Sequence, residues 1–146
     1  MAIVKLDKSR LSEIEDLWKE LNLHHHRLSS NFKQYFDTLT FQDRVKQLVC
    51  KESLSLFAAS DAGAYVGYCI ATADRNRGEI DSIYVKASHR GQGIGHELMM
   101  RAMEWLRAQY CTETVIYVAE GNEQALSFYE KYSFTKRYTV MGKIKD

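Results

Sequence analysis

Between residues 79 and 95 the chain reads Glu79-Ile-Asp-Ser-Ile-Tyr-Val85, Lys86-Ala-Ser-His89, Arg90-Gly-Gln-Gly-Ile-Gly95. The first seven residues suit a strand. The glycines at 91, 93 and 95 let a backbone approach a ligand closely just before a helix begins. Successive amide N–H groups in such a loop, backed by the positive end of the helix, form a ready anion site, and a pyrophosphate fits it. Arg90 places a permanent cation beside them. At the start of the strand, Glu79 and Asp81 are two carboxylates separated by one residue. Strand alternation puts both on one face unless a β-bulge intervenes, and a carboxylate there could act as a general base.

Other reactive side chains have weaker patterns. His24, His25 and His26 are consecutive, and adjacent helix positions point about 100° apart, so three such rings cannot converge on one metal ion. A solvated helix end is the expectation, and no metal site is expected anywhere in the chain. Cys50, Cys69 and Cys111 make an odd set with no C-x-x-C pair, which fits reduced thiols rather than a disulfide scaffold or a zinc site.

Two familiar phosphate motifs fail on the 90–96 loop. A Rossmann G-x-G-x-x-G needs glycine where His96 stands, and a Walker A loop needs G-K-[ST]. What remains, R-x-x-G-x-G after a strand, resembles the acetyl-CoA signature of the GCN5-related N-acetyltransferase (GNAT) family. The stretch Asn122-Glu-Gln-Ala-Leu-Ser-Phe-Tyr-Glu-Lys-Tyr-Ser-Phe134 resembles the same family's N-x-x-A-x-x-F-Y-E-K-x-G-F segment, with Ser133 in place of the usual glycine.

The resemblance implies acetyl-CoA as cosubstrate and no metal. It implies that the backbone of Ile83, Tyr84 and Val85 pairs with the pantetheine arm, and that one of their N–H groups polarises the thioester carbonyl. Arg90, Gly91, Gln92, Gly93, Ile94, Gly95 and His96 would hold the pyrophosphate. Asn122 would face the pantetheine, and Tyr129 would face the sulfur and give a proton to the departing thiolate. Glu79, and after it Asp81, would take the proton from the attacking amine. The acceptor would be a small-molecule or protein amine, shaped by the first helices and the loop Ser29–Leu39, and the family resemblance admits a homodimer. Two other readings stand beside the enzyme. One is a non-catalytic acetyl-CoA-binding regulatory module, which needs the loop but not Glu79 or Tyr129. The other is a nucleotide-binding domain of another class, which NAD or ATP would protect against heat where CoA would not.

The elements that must position these residues follow from hydrophobic periodicity. Ala2–Leu6 suits a strand. Leu11, Ile14, Leu17, Trp18, Leu21 and Leu28 make a helical stripe over Ser9–Leu28, and Thr40 begins a second helix. Leu54–Ser60 and Ala64–Ala73 flank the turn Asp61-Ala62-Gly63. Arg75–Gly78 turns into the strand Glu79–Val85. A helix follows with Ile94, Leu98, Ala102 and Leu106 on one face, then a strand Thr114–Ala119, a helix Asn122–Tyr132 and a strand Phe134–Ile144. The order β-α-α-β-β-β-α-β-α-β is an α/β arrangement with a central mixed sheet and helices on both faces. The step from Glu79–Val85 to Thr114–Ala119 is its parallel crossover.

With 146 residues and no compositional break, the expectation is a single N-acetyltransferase domain over 1–146. Twenty basic residues against 19 acidic leave a net charge of +1, which argues against nucleic acid or an anionic membrane as partner. No secretory pattern opens the chain and no apolar run of about 18 residues occurs, so a cytoplasmic location is expected.

Overall fold

The computed structural model describes residues 1–144. They gather into two compact units: Met1–Leu21 with Leu39–Tyr117, and Asn22–Thr38 with the chain from Val118 onward.

The first unit is built on five strands lying side by side in chain order: β1 (Ala2–Leu6), β2 (Ser53–Asp61), β3 (Ala64–Asp74), β4 (Arg77–Val85) and β5 (Glu113–Ile116). The first three pairings are antiparallel, and β4–β5 is parallel. The crossover between them is α4 (Ile94–Ala108). Two-residue turns join β2 to β3 and β3 to β4. Their central residues, Ala62 with Gly63 and Arg75 with Asn76, all have positive φ. That is the requirement of a type I′ turn, whose twist matches the strands it joins.

Apolar residues cover both faces of the sheet. Leu56, Ala58, Tyr68 and Ile70 pack with Leu11, Ile14, Leu17 and Trp18 and with Phe41 and Leu48. The last two belong to α3 (Phe41–Val49), whose first turn is capped by Thr40 Oγ1 accepting from the Asp43 N–H at 3.1 Å. On the opposite face α4 buries Leu98, Met99, Ala102 and Leu106. Each leucine or methionine among them contributes about 1.5–3 kcal/mol on burial. α4 lies tight against β4 because residue 78 is glycine: a Cβ there would stand 2.7 Å from Leu106 Cδ2.

The pairing of β3 with β4 slips by one residue part-way along. Ile70 pairs with Ser82 and Ala71 with Ile80, so Asp81 is the extra residue of a β-bulge in β4.

The mixed sheet with flanking helices is the expected α/β fold, and several boundaries differ from the sequence reading. The stripe over Ser9–Leu28 is not one helix. Lys8–Ile14 is 3₁₀, capped by the Asp7 side chain and kinked at Arg10, and α1 proper is Glu15–Leu28. The region read as a loop at 29–39 contains a short helix, α2 (Lys33–Thr38). The last expected strand, Phe134–Ile144, does not form. Tyr138, Val140 and Met141 are 77%, 83% and 92% exposed, so no apolar face is buried there to hold a strand in register. Among the described residues no helix is long and apolar enough to cross a membrane.

The second unit ties the end of α1 to the segment after β5. Glu120 accepts from Ser29 Oγ at 2.5 Å and from the N–H groups of Ser30 and Asn31 at 2.9 and 3.2 Å. These bonds hold the Glu120 carboxyl below the usual carboxylate range, the Ser29 hydroxyl foremost. The histidine run is not uniformly solvated. His25 lies against Phe36 with centroids 5.5 Å apart, and burial pushes its pKa down to about 4. His26 instead meets Asp37 at 3.2 Å.

The helix expected over Asn122–Tyr132 is shorter, α5 (Ala125–Glu130), and it ends in a motif that explains Ser133. Ser133 has φ +69°, its N–H bonds to the Glu130 carbonyl at 3.0 Å, and the Phe134 N–H reaches the Tyr129 carbonyl at 3.4 Å. This is a Schellman cap with the Tyr129–Phe134 ring contact that usually accompanies it. A side chain in left-handed geometry costs about 1–2 kcal/mol, part of which glycine forfeits as unfolded-state entropy. Ser133→Gly is therefore expected to stabilise the protein by about 1 kcal/mol, read as a rise in the denaturation midpoint. An unchanged or lower midpoint would contradict the cap.

Candidate active site

β5 accompanies β4 only from Arg77 to Ile80, opposite Glu113 to Ile116. β4 runs on through Val85, so its last five residues have no β5 beside them. On the other side β3 stays paired with β4 throughout. The Lys86 N–H donates to the Val66 carbonyl at 2.8 Å, towards β3. Backbone groups alternate in direction along a strand, so the N–H groups of Ile83 and Val85 turn to the side that β5 has left. The Val85 carbonyl points that way too, accepting from Arg90 Nε at 2.9 Å. Tyr84 pairs with Tyr68 on β3 and offers its ring instead, with the Arg90 guanidinium 5.5 Å from its centroid.

The strand passes through one 3₁₀ turn, Ala87–His89, into the glycine loop. Gly91 and Gly93 have φ +79° and +81°, and a Cβ built on either would meet no atom within 4 Å. Glycine is needed here for the backbone conformation, and the space over the loop is open. Gly93 is the N-cap of α4 and no side chain caps it. The first N–H groups of the helix, those of Ile94, Gly95 and His96, thus sit at its positive end. The turn before the loop is latched to the β2–β3 hairpin: His89 Nε2 lies 2.9 Å from Asp61 Oδ2, and Ser88 Oγ lies 2.8 Å from His89 Nδ1.

At the other end of the free edge stand the carboxyls. Thr72 is the cross-strand partner of Glu79 and its hydroxyl meets Asp81, so the two carboxyls share a face despite the bulge, and the Asp81 side chain is only 2% exposed. Thr72 Oγ1 donates to Asp81 Oδ2 at 2.7 Å, while Arg44 of α3 donates to the Asp81 carbonyl at 3.0 Å and stands 4.0 Å from Oδ1. Burial pushes the Asp81 carboxyl up to about 7. Thr72 and Arg44 oppose the rise, and the charge and hydrogen bond of neighbouring Glu79 add to it.

Glu79, Asp81, Ile83, Tyr84, Val85 and the run Arg90, Gly91, Gln92, Gly93, Ile94, Gly95 and His96 therefore belong to one unit, along β4 and into α4. Asn122 and Tyr129 belong to the other. Asn122 opens the turn before α5, where its N–H bonds to the Ala119 carbonyl at 3.0 Å. Tyr129 packs edge-on to Phe128, with centroids 5.4 Å apart. Sequence reasoning missed Thr72, Arg44 and the Asp61–His89 latch. Thr72 had a signal, as a hydroxyl inside an otherwise apolar strand; Arg44 had none.

A sequence profile of the acetyltransferase (GNAT) family matches residues 13–134. The mycothiol acetyltransferase of Thermobispora bispora is 30% identical over 133 residues, covering 86% of this chain and 44% of that protein. N-alpha-acetyltransferase 30 of Schizosaccharomyces pombe is 29% identical over 96 residues, covering 59% of this chain and 64% of that one. The chain spans about half the length of curated relatives that it matches, 44% of one acetyltransferase and 59% of another. Among solved structures, the PaiA N-acetyltransferase of Thermoplasma acidophilum in complex with coenzyme A superposes with TM-score 0.75 at 18% identity, over 96% of this chain and 94% of that one. With the profile running across most of its length, and with the sheet and helices in the same arrangement, the chain belongs to the GNAT family of acetyltransferases.

Proposed function

We propose that the chain is an acetyl-CoA-dependent N-acetyltransferase in which an amine attacks the thioester directly, with no covalent enzyme intermediate. The observation that carries this reading is the free edge of β4, which runs from a carboxyl pair at one end to a glycine loop and helix N-terminus at the other. These residues fit the cosubstrate. The outward N–H groups of Ile83 and Val85 suit the amide-bearing pantetheine arm laid alongside as an added strand. The open loop at Gly91 and Gly93, with Arg90 beside it, suits a pyrophosphate.

Acetyl-CoA supplies the activated acyl group, and the chain does the rest. An edge N–H polarises the thioester carbonyl. An amine of pKa about 10.4 is mostly protonated at neutral pH, so Glu79 removes a proton before attack. Tyr129 gives a proton to the departing thiolate and Asn122 faces the pantetheine; both roles rest on the family resemblance of their segment. The profile match draws residues from both compact units, which supports reading 1–146 as one acetyltransferase domain.

A non-catalytic acetyl-CoA-binding module would need the loop but has no use for a carboxyl pair, so the pair favours turnover. The deciding experiment is acetyl-CoA-dependent turnover over polyamines, antibiotic amines, amino acids and protein lysines. CoA binding with turnover on none of these classes would favour the binding module. The loop has its own test. Gly93→Val forces a branched residue into φ near +81° at the helix N-cap, and CoA affinity is expected to fall about tenfold by calorimetry. Unchanged affinity in a folded variant would remove the pyrophosphate from this loop.

A further inference from the structure

The glycines that open the loop to a phosphate also leave it loose, because glycine loses more conformational freedom on ordering than any other residue. Backbone N–H groups bind an anion well only when they are already aimed at it, so something must hold the chain between β4 and α4. On one side the buried Ile94 fixes the start of α4. On the other, the Lys86 N–H is bonded to the Val66 carbonyl of β3. Residues 87–93 lie between, with one 3₁₀ turn closed by the His89 N–H on the Lys86 carbonyl at 2.9 Å. The Arg90 side chain returns to Val85, on the strand that the loop has just left.

The bond between His89 and Asp61 is of another kind, because it reaches across to a different piece of backbone. Asp61 ends β2 and pairs with Ala64 over the turn Ala62-Gly63, so its carboxyl stands on a hairpin tip whose own geometry is fixed. His89 Nε2 lies 2.9 Å from Asp61 Oδ2, and Ser88 Oγ lies 2.8 Å from Nδ1. The Ser88 hydroxyl can donate to the neutral ring or accept from the charged one, so both ring nitrogens have partners in either protonation state. The His89 side chain is 23% exposed, which leaves it held rather than freely solvated.

We propose, resting on the reading of 90–96 as the pyrophosphate loop, that His89 and Asp61 are positioning residues for the cosubstrate. Together they brace the glycine loop against the β2–β3 hairpin, with the loop's N–H groups already aimed. Both act through the backbone of the loop, His89 directly and Asp61 through His89. The brace reduces the ordering that binding would otherwise require, so it acts on CoA affinity. It leaves untouched the carboxyls at the other end of β4. Since neither residue works without the other, losing one should weaken binding as much as losing both.

Calorimetry with CoA on the whole protein reads the brace and needs no acceptor. His89→Ala and Asp61→Ala are each expected to weaken CoA about fivefold, and the double variant by about the same factor rather than about twenty-five. Asp61→Asn keeps an oxygen that can accept from Nε2, and its CoA affinity should stay within about twofold of wild type. Pantetheine, which has no pyrophosphate, should bind wild type and His89→Ala alike when titrated by NMR. Should His89→Ala fail to fold, Asp61→Ala against Asp61→Asn carries the same test, the first weakening CoA and the second sparing it. A melting temperature that falls while CoA affinity holds in both single variants overturns the proposal and makes the contact purely structural. Losses that multiply in the double variant also overturn it, and so does a weakening of pantetheine that matches that of CoA. Failure of the parent reading looks different: CoA added to the wild-type protein would then leave the amide resonances of residues 91–96 unmoved.

Discussion

Replacing Glu79 with glutamine is expected to lower turnover by about 10²–10⁴-fold, the ordinary worth of a general base, while CoA affinity stays where it is. The separation follows from position. Glu79 lies on the stretch of β4 that β5 still pairs with, opposite Val115, whereas the edge assigned to the cosubstrate begins only beyond Ile80. Glutamine keeps the length and shape of the side chain and removes only its capacity to take a proton. Turnover is to be measured at saturating acceptor across the pH range, and CoA binding by calorimetry on the same preparation. A loss under threefold at every pH would move the role to Asp81 or to solvent. A loss of CoA affinity matching the loss of turnover would mean that Glu79 acts in binding rather than in chemistry.

The glycine loop and its strand were legible in the sequence because their information is local. Glycines at 91, 93 and 95 between an alternating strand and a four-residue apolar repeat have few other meanings, and Gly91 and Gly93 do adopt the left-handed conformations that require them. Ser133 was marked out by the resemblance rather than by local pattern: it stands where the family segment has glycine, and φ +69° is found there.

What escaped was set by contacts distant in sequence. No residue near Asp81 announces a bulge. It is fixed by pairing with β3, by the Thr72 hydroxyl nine residues away and by Arg44 thirty-seven residues away. The end of β5 at Ile116 rather than Ala119 is a matter of where β4 and β5 part, which periodicity cannot report. Phe134–Ile144 carries β-forming residues, but propensity describes fitness for a pleated, half-buried surface and cannot supply one. The helix Lys33–Thr38 is too short to show an apolar period, and the 3₁₀ start at Lys8–Ile14 shares its apolar spacing with the α-helix that follows.

Tyr129→Phe is expected to cost roughly ten- to two-hundredfold in turnover, the equivalent of a hydrogen bond to a charged group worth about 1.5–3 kcal/mol. The role rests on the resemblance of Asn122–Phe134 to the family segment, and the local structure makes the test a clean one. The Tyr129 backbone carbonyl accepts from the N–H groups of Tyr132 and Phe134, and the ring meets Phe128 and Phe134 edge-on. Phenylalanine retains all of these contacts, so the helix cap and the ring packing survive and only the hydroxyl is lost. Melting temperature and CoA affinity should therefore change little while kcat falls. The thiolate leaves in the same step whichever amine is acetylated, so the loss should be similar for every acceptor that the amine screen yields. A variant with intact turnover and a melting temperature several degrees lower would show that the hydroxyl serves the packing of this unit and gives no proton to the thiolate.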